Sequence, residues 1–274
     1  MPNLTADLAY WITERYAIKL RREANQPKPW SPDPIFQSVR FCNVHREDDK
    51  VTRWIRKNWN RSYDPVWKFV LGRMLNLPES LDSLLPWGHP EVMKGVLIQK
   101  RADGHKIFTS AYTISTCGKS MDKLDYVFDW VVERTKGINE IAFRKNRSLA
   151  QAHIELTQID GLGSFLSAQV LADMKNTYEH PLSTATDFWT WSAPGPGSLR
   201  GLAWYFLNGP EGISASTYAP HLRTCRKEVD PLIPGYIPRI SDQDFQNCLC
   251  EFSKYMKVKK NSNTHIRNKY SGRN

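Results

Sequence analysis

The sequence predicts a mostly α-helical protein with one inserted β-hairpin. Apolar residues recur at helical spacing through most of the 274 residues, which indicates amphipathic helices around a core. No internal repeat is present, and the length suits one large domain or two small ones. The exception is an Asp-Gly pair between two apolar arms, at about residues 96–115, which is typical of a hairpin turn.

The helical segments follow from apolar spacing and from residues that begin or end helices. Leu8, Ile12, Tyr16 and Leu20 recur every fourth residue and predict a first helix over 4–24, followed by a proline-rich linker. Ser241 is a suitable N-cap for the last helix. The remaining helical segments are predicted at 36–59, 64–75, 121–136, 149–174 (two helices and a turn) and 241–255.

Composition and charge divide the chain into three segments. We expect an N-terminal helix with its linker at 1–35, a main domain at 36–255 and a basic tail at 256–274. The net charge is +10 and the pI is about 9.4, which favours a polyanionic partner such as nucleic acid or a membrane surface. From Phe252 onwards there are seven Lys or Arg and no acidic residue, as in a phosphate-contacting arm or a disordered end.

Cysteine usage and hydropathy predict the compartment. The five cysteines are odd in number and scattered, and their spacing matches no four-cysteine metal site, so a reducing environment fits best. No apolar run approaches 18 residues, and the N-terminus has no signal-like pattern. We therefore expect a cytoplasmic protein with no membrane partner.

The segment Ile159-Asp160-Gly161-Leu162-Gly163 interrupts an apolar helical pattern within residues 149–174. Glycines allow backbone conformations that a Cβ would block, and they expose N–H groups where the second helix begins. Such N–H groups, together with the helix dipole, bind a phosphate oxygen without regard to base identity. We predict that Gly161, Gly163 and Ser164 bind the DNA backbone. The alternative is a glycine turn that only joins two helices.

A glycine hairpin followed by Asp187 resembles the helix-hairpin-helix DNA glycosylase superfamily. The resemblance implies a two-lobed helical fold in which the hairpin holds DNA and Asp187 is catalytic. Phe165 stands where bifunctional members carry a catalytic lysine, and the four-cysteine iron–sulfur set is missing, so we expect no lyase activity. Asp187 can alternatively cap the turn that follows it.

Three longer blocks narrow the resemblance: RFCNVHREDDK at 40–50, APGPGSLRGL at 193–202 and DFQNCLCEFSKY at 244–255. Together they resemble the α-glutamyl/putrescinyl thymine pyrophosphorylases (clade 2-like), a glycosylase-like branch found in bacteriophages and elsewhere. That family implies a transferase that acts on double-stranded DNA after base flipping. It displaces pyrophosphate from 5-pyrophosphoryloxymethyluracil with an amine, and we expect an amino acid such as glycine here.

This reaction needs a base for the amine, cations for the leaving pyrophosphate, and a group that binds the amino-acid carboxylate. We predict Asp187 and Glu251 as catalytic residues. The predicted substrate-binding residues are Asn43, Arg46, Glu47, Ser198, Arg200, Asn247 and Lys254. The alternatives are an ion-paired helix face for the first block, a turn between helices for the second, and an exposed helix face for the third.

No metal motif is visible in the sequence, and we expect no cofactor, although a pyrophosphate substrate can bring Mg²⁺ held by its own oxygens. The expected partners are double-stranded DNA carrying modified uracil and an amino acid co-substrate. We expect a monomer in the cytoplasm of a phage-infected cell. Two other functions stay open: a monofunctional DNA glycosylase in which Asp187 activates water, and a non-catalytic DNA-binding module.

Overall fold

The computed structural model describes residues 4–59, 65–86, 88–110, 114–136, 138 and 148–260. These residues form helices and loops and contain no strand, which confirms the prediction of a mostly helical protein. None of the described helices is long and apolar enough to cross a membrane. The helices are α1 (Leu4–Glu23), α2 (Pro34–Ser38), α3 (Lys50–Asn58), α4 (Val66–Leu75), α5 (Pro78–Asp82), α6 (Pro90–Ala102), α7 (Lys123–Asp125), α8 (Glu133–Thr135), α9 (Leu149–Thr157), α10 (Ser164–Lys175), α11 (Pro196–Leu207), α12 (Tyr218–Val229) and α13 (Asp242–Lys260).

Spatial contacts divide the chain into two compact units. The first unit combines Met1–Arg46 with Ser192–Asn274, and the second is the continuous segment Glu47–Trp191. These units do not coincide with the three segments of the sequence. The last helix, α13, runs to Lys260, and residues 261–274 of the basic tail lie outside the described residues.

The core of the first unit is formed by α1, α11, α12 and α13. Helix α1 contacts the other three, and α11 contacts both α12 and α13. Arg226 of α12 also pairs with Asp242 of α13. Leu8, Ile12 and Tyr16 of the predicted apolar series are buried in this core, together with Trp11. Leu20, the last member of the series, is exposed. Helices α11 and α13 approach closely at Gly201, where an added Cβ would overlap the carbonyl oxygen of Leu249. This approach requires glycine, because any other residue would push the two backbones apart.

A buried ion pair connects three helices of the second unit. Arg73 of α4 forms a salt bridge with the fully buried Asp173 of α10. Its Nη2 also donates to Thr52 Oγ1 of α3 (2.7 Å) and to Asp49 Oδ1 (2.9 Å). Removing one partner would leave an uncompensated charge in the core, so this network holds α3, α4 and α10 together.

The helix predicted over 121–136 is present, but its middle is wound differently. Between α7 and α8, residues Tyr126–Val132 form a π-helix. Its i→i+5 pattern brings Tyr126 and Val131 side by side. Both side chains are buried and reach the same point in the loop between α9 and α10, Gly161.

The prediction of a β-hairpin at about 96–115 is wrong for its first arm, which belongs to α6. The Asp103-Gly104 pair ends this helix instead of turning a hairpin. Gly104 has φ +82°, its N–H donates to Arg101 O (3.0 Å), and the next N–H returns to Lys100 O (3.1 Å). A left-handed glycine after a helix is a common C-terminal cap, so the same residue pair serves either structure. Residues 111–113 of the second arm lie outside the described residues.

The prediction of one helix over 36–59 is also wrong. Helix α2 ends at Ser38, and α3 begins only at Lys50, where Asp49 Oδ1 accepts the N–H groups of Val51 (3.0 Å) and Thr52 (3.2 Å). The first resemblance block therefore lies between two α-helices, in a segment whose only helical part is the 3₁₀ turn Arg46–Asp48 before α3 begins. Its polar residues do not share one helix face.

We expect Gly201→Ala to lower the free energy of unfolding by about 1–3 kcal/mol, because the new methyl group overlaps the backbone of α13. The matched control is Gly95→Ala in α6, where a Cβ meets nothing within 4 Å. Alanine there should stabilise by about 0.5–1 kcal/mol through helix propensity. Urea unfolding measures the free energy of unfolding of both variants. Equal changes of the same sign would contradict the close contact between α11 and α13.

Candidate functional site

The two helices and the turn predicted over 149–174 are present as α9, α10 and the connecting residues 158–163. Gly161 has φ +103°, a conformation that side chains rarely adopt. A Cβ there would lie 2.6 Å from Val131 Cγ2 and 2.7 Å from Tyr126 Oη. Gly161 is therefore required for packing of the turn against the π-helical segment.

Gly163 has a different environment from Gly161. It is the N-cap of α10 with φ −65°, and no heavy atom lies within 4 Å of the position that a Cβ would take. Gly163, Ser164 and Phe165 are all exposed. The first turn of α10 is thus accessible, and its N-cap contributes no side chain, which suits the approach of an anion to a helix N-terminus.

His153 connects the two helices of this hairpin. Its Nε2 lies 3.1 Å from the carbonyl oxygen of Ser164 and 3.3 Å from the Ser164 hydroxyl. Burial lowers the pKa of His153 below its ordinary value, and the bond to Ser164 opposes this effect only in part. A neutral imidazole that donates from Nε2 therefore fixes the start of α10 against α9.

The carboxylate of Asp187 caps helix α9. Its Oδ1 accepts the N–H of Leu149 (2.7 Å), and its Oδ2 accepts the N–H of Ala150 (2.9 Å) and the hydroxyl of Ser148 (3.2 Å). Capping is the alternative that the sequence left open, although the capped helix is α9 rather than the turn after Asp187. The Asp187 carboxylate thus already accepts three hydrogen bonds. Its catalytic role stays a prediction.

Helix α13 holds the segment 42–46, which ends at the first residue of a 3₁₀ turn (Arg46–Asp48), along one of its faces. The segment runs antiparallel to the helix, and its backbone is bound by three α13 side chains: Glu251 Oε2 to the Cys42 N–H (3.0 Å), Asn247 Nδ2 to the Asn43 carbonyl (3.1 Å) and Asp244 Oδ1 to the Arg46 N–H (2.7 Å). The first and third resemblance blocks are therefore brought together, through bonds that fix the backbone.

Glu251 and Lys254 form a salt bridge on α13. Burial lowers the pKa of Lys254, but the Glu251 carboxylate and neighbouring thiols outweigh it, so the pKa is raised above its ordinary value. Lys254 is accordingly a cation at neutral pH. With the N–H of Cys42 on its other oxygen, the Glu251 carboxylate is occupied on both sides, and its catalytic role also stays a prediction.

Ser198, predicted to bind substrate, is occupied by hydrogen bonds at the start of α11. The buried Ser198 hydroxyl donates to Gly195 O (3.0 Å) and accepts from Gly195 N (3.1 Å) and from Gln246 Nε2 (3.3 Å). Arg200, in contrast, is exposed. These hydrogen bonds start α11 and connect it to α13, and the substrate-binding role of Ser198 and Arg200 stays a prediction.

The predicted site residues fall into two groups, each described within its own unit. The first unit contains Asn43, Arg46, Ser198, Arg200, Asn247, Glu251 and Lys254, and the second contains Glu47, Gly161, Gly163, Ser164 and Asp187. Glu47, which is exposed, pairs with Arg56 at 3.5 Å. In the described part of the chain, no three His, Cys, Asp or Glu side chains are grouped as metal ligands.

A cluster beside the hairpin turn was missed by the sequence reasoning. Lys119 Nζ lies 3.7 Å and Arg134 Cζ 3.5 Å from the ring centroid of Trp130. The Trp130 indole N–H donates to Asp160 Oδ2 of the turn (2.9 Å). The i, i+4 spacing of Trp130 and Arg134 is the one sequence signal that indicates part of it.

We expect Asp187→Asn to lower the free energy of unfolding by about 1–2 kcal/mol, since an amide cannot accept hydrogen bonds at both positions. Hydrogen exchange of the Leu149 and Ala150 amides should accelerate. Asp103→Asn is the control, because that exposed carboxylate accepts only from Gln99 among the bonds described. Equal stability of the two variants would contradict the cap. Loss of activity in Asp187→Asn would not by itself identify a catalytic base.

Comparison with known proteins places these features in a family. The family model for the helical domain of 5-hmdU DNA kinase matches residues 2–265. The 5-hmdU DNA kinase of Bacillus phage SP10 is 26% identical over 227 residues, which cover 71% of this chain and 35% of the relative. The chain thus spans about a third of that curated relative. No solved structure matches. Since the family model covers almost the whole chain, the protein belongs to the family of 5-hmdU DNA kinase helical domains.

Proposed function

We propose that this protein binds DNA carrying a modified uracil and acts in thymidine hypermodification of phage type. Membership of a family named for 5-hmdU DNA kinases supports the substrate and the process. The observation that carries DNA binding is the exposed start of α10 at Gly163, whose N-cap leaves room for a backbone phosphate. The basic net charge of +10 favours the same partner.

The phosphoryl-transfer step of a kinase has no complete signature in this sequence. Gly118-Lys119-Ser120 matches the end of a phosphate-binding loop, but Thr113 stands where its first glycine belongs. The remaining two thirds of the phage SP10 relative lie beyond the match. We therefore assign recognition of the DNA, rather than phosphorylation, to this chain.

The finer proposal is that the chain exchanges pyrophosphate for an amine on the base methylene. The bond from the methylene carbon to the pyrophosphate oxygen breaks, a carbon–nitrogen bond forms, and the amine proton passes to a carboxylate, Asp187 or Glu251. Mg²⁺ can accompany the pyrophosphate through its own oxygens. Two cations support this proposal. Burial raises the pKa of the Cys250 thiol, and both Lys254 and Arg200 lie close enough to oppose it. Arg200 of α11 and Lys254 of α13 thus place two cations near Cys250, which suits a leaving pyrophosphate.

DNA binding is tested by Gly163→Asp. Aspartate is a good N-cap, so the fold should persist, while its carboxylate occupies the N–H groups and repels phosphate. We expect at least tenfold weaker binding of duplex DNA, and a slope of log K against log salt reduced by about one. Gly163→Asn introduces a neutral side chain of the same shape as aspartate, so it should lose less DNA affinity than Gly163→Asp. Fluorescence anisotropy over a salt series measures both, and equal affinity of the three proteins would exclude a phosphate at Gly163.

The transfer step is tested with duplex DNA that contains 5-pyrophosphoryloxymethyluracil and a panel of amino acids. We expect release of pyrophosphate and a gain of amino-acid mass on the base, read by mass spectrometry of digested nucleosides. Arg200→Gln should slow the release, because this exposed cation is removed from the leaving group. Formation of abasic sites would favour the monofunctional glycosylase. Binding with no product would favour the non-catalytic DNA-binding module.

A further inference from the structure

We infer that Lys119 and Arg134, both held against the ring of Trp130, bind backbone phosphates beside the one at Gly163. This inference rests on the proposed DNA binding and extends its contact surface. The cluster of these three residues and Asp160 is called the Trp130 platform. All four residues belong to the second unit, which also contains the hairpin.

The platform is connected directly to the hairpin turn. Asp160 precedes Gly163 by three residues, so their Cα atoms are at most about 11 Å apart. Asp160 Oδ2 accepts the Trp130 indole N–H at 2.9 Å and lies 3.5 Å from Lys119 Nζ. The cations therefore lie within a few nucleotides of a phosphate at Gly163, because successive phosphates on a strand advance only about 3.4 Å along the axis.

The two cations are fixed in place before any ligand binds. Both ammonium and guanidinium groups lie within 4 Å of the Trp130 ring centroid, as cation–π contacts require. Arg134 Nη1 also donates to the Trp130 carbonyl at 2.9 Å. Preordered side chains lose less conformational entropy on binding, so these cations are better suited to hold phosphate than mobile surface lysines are.

Asp160 is the one acidic group of the platform, and it acts against a phosphate ligand. Its carboxylate is 54% exposed and partly neutralises Lys119. Asn at this position can still accept the Trp130 N–H while removing the negative charge. If DNA lies here, the variant should bind more tightly, which a purely structural cluster would not produce.

The test measures duplex DNA affinity by anisotropy over a salt series for Lys119→Gln, Arg134→Gln and Asp160→Asn. We expect three- to tenfold weaker binding for the first two, each with a salt slope reduced by about one, and two- to fivefold tighter binding for the third. Arg101→Gln is the matched control, since it removes one charge from the same unit at a residue paired with Asp122. Its effect should be below twofold.

The outcomes separate the two proposals. Absence of duplex binding by the unchanged protein overturns both of them. Normal binding that is reduced by Gly163→Asp but unaffected by Lys119→Gln and Arg134→Gln overturns the platform alone. Equal losses of DNA affinity in Arg134→Gln and Arg101→Gln would also overturn the platform proposal, because they would show that only the net charge of the protein matters. Unfolding curves for each variant exclude loss of affinity through misfolding.

Discussion

Hydrogen bonds from backbone N–H groups to carboxylates hold the key segments of both units. Asp187 accepts two N–H groups at the start of α9, and Asp49 does the same for α3. Asp244 and Glu251 hold the segment 42–46 along α13 by accepting backbone N–H groups from it. The first N–H groups of a helix have no partner within it, and a buried unpaired donor costs about 1–3 kcal/mol. These acids therefore contribute to the stability of the fold, whatever chemistry they also perform.

The same constraint explains which elements could be predicted from sequence. Helices α1, α4 and α13 and the hairpin helices follow local apolar spacing, so the pattern contains enough information to find them. Residues 36–59 read as one helix because their apolar spacing is helical, but bonds to side chains about 200 residues away hold the middle of that segment in another conformation. Gly104 illustrates a second limit of prediction from local sequence. A glycine with positive φ can end a helix as readily as it can form a hairpin turn, so the residue pair alone does not decide between them.

The sequence indicated individual features of the candidate site, such as the glycine hairpin, but not which residues each feature contacts. The two hairpin glycines look alike in sequence, but only Gly161 meets a neighbouring helix, and only Gly163 is open. That difference depends on Tyr126 and Val131, whose alignment comes from a π-helical turn that no residue pattern indicated. Likewise the bonds of Asp187 to the start of α9 join residues almost 40 positions apart, and they depend on tertiary structure that the local pattern does not contain.

The discontinuity of the first unit has a consequence for synthesis of the chain. Helix α1 buries Leu8, Trp11 and Ile12 against helices that begin only after Ser192. The ribosome must first complete the 145 residues of Glu47–Trp191, which takes on the order of 7–30 s at roughly 5–20 residues per second. During that interval all of the second unit's residues become available for folding. The apolar face of α1 has no partner helices yet, so it is exposed to solvent and to chaperones.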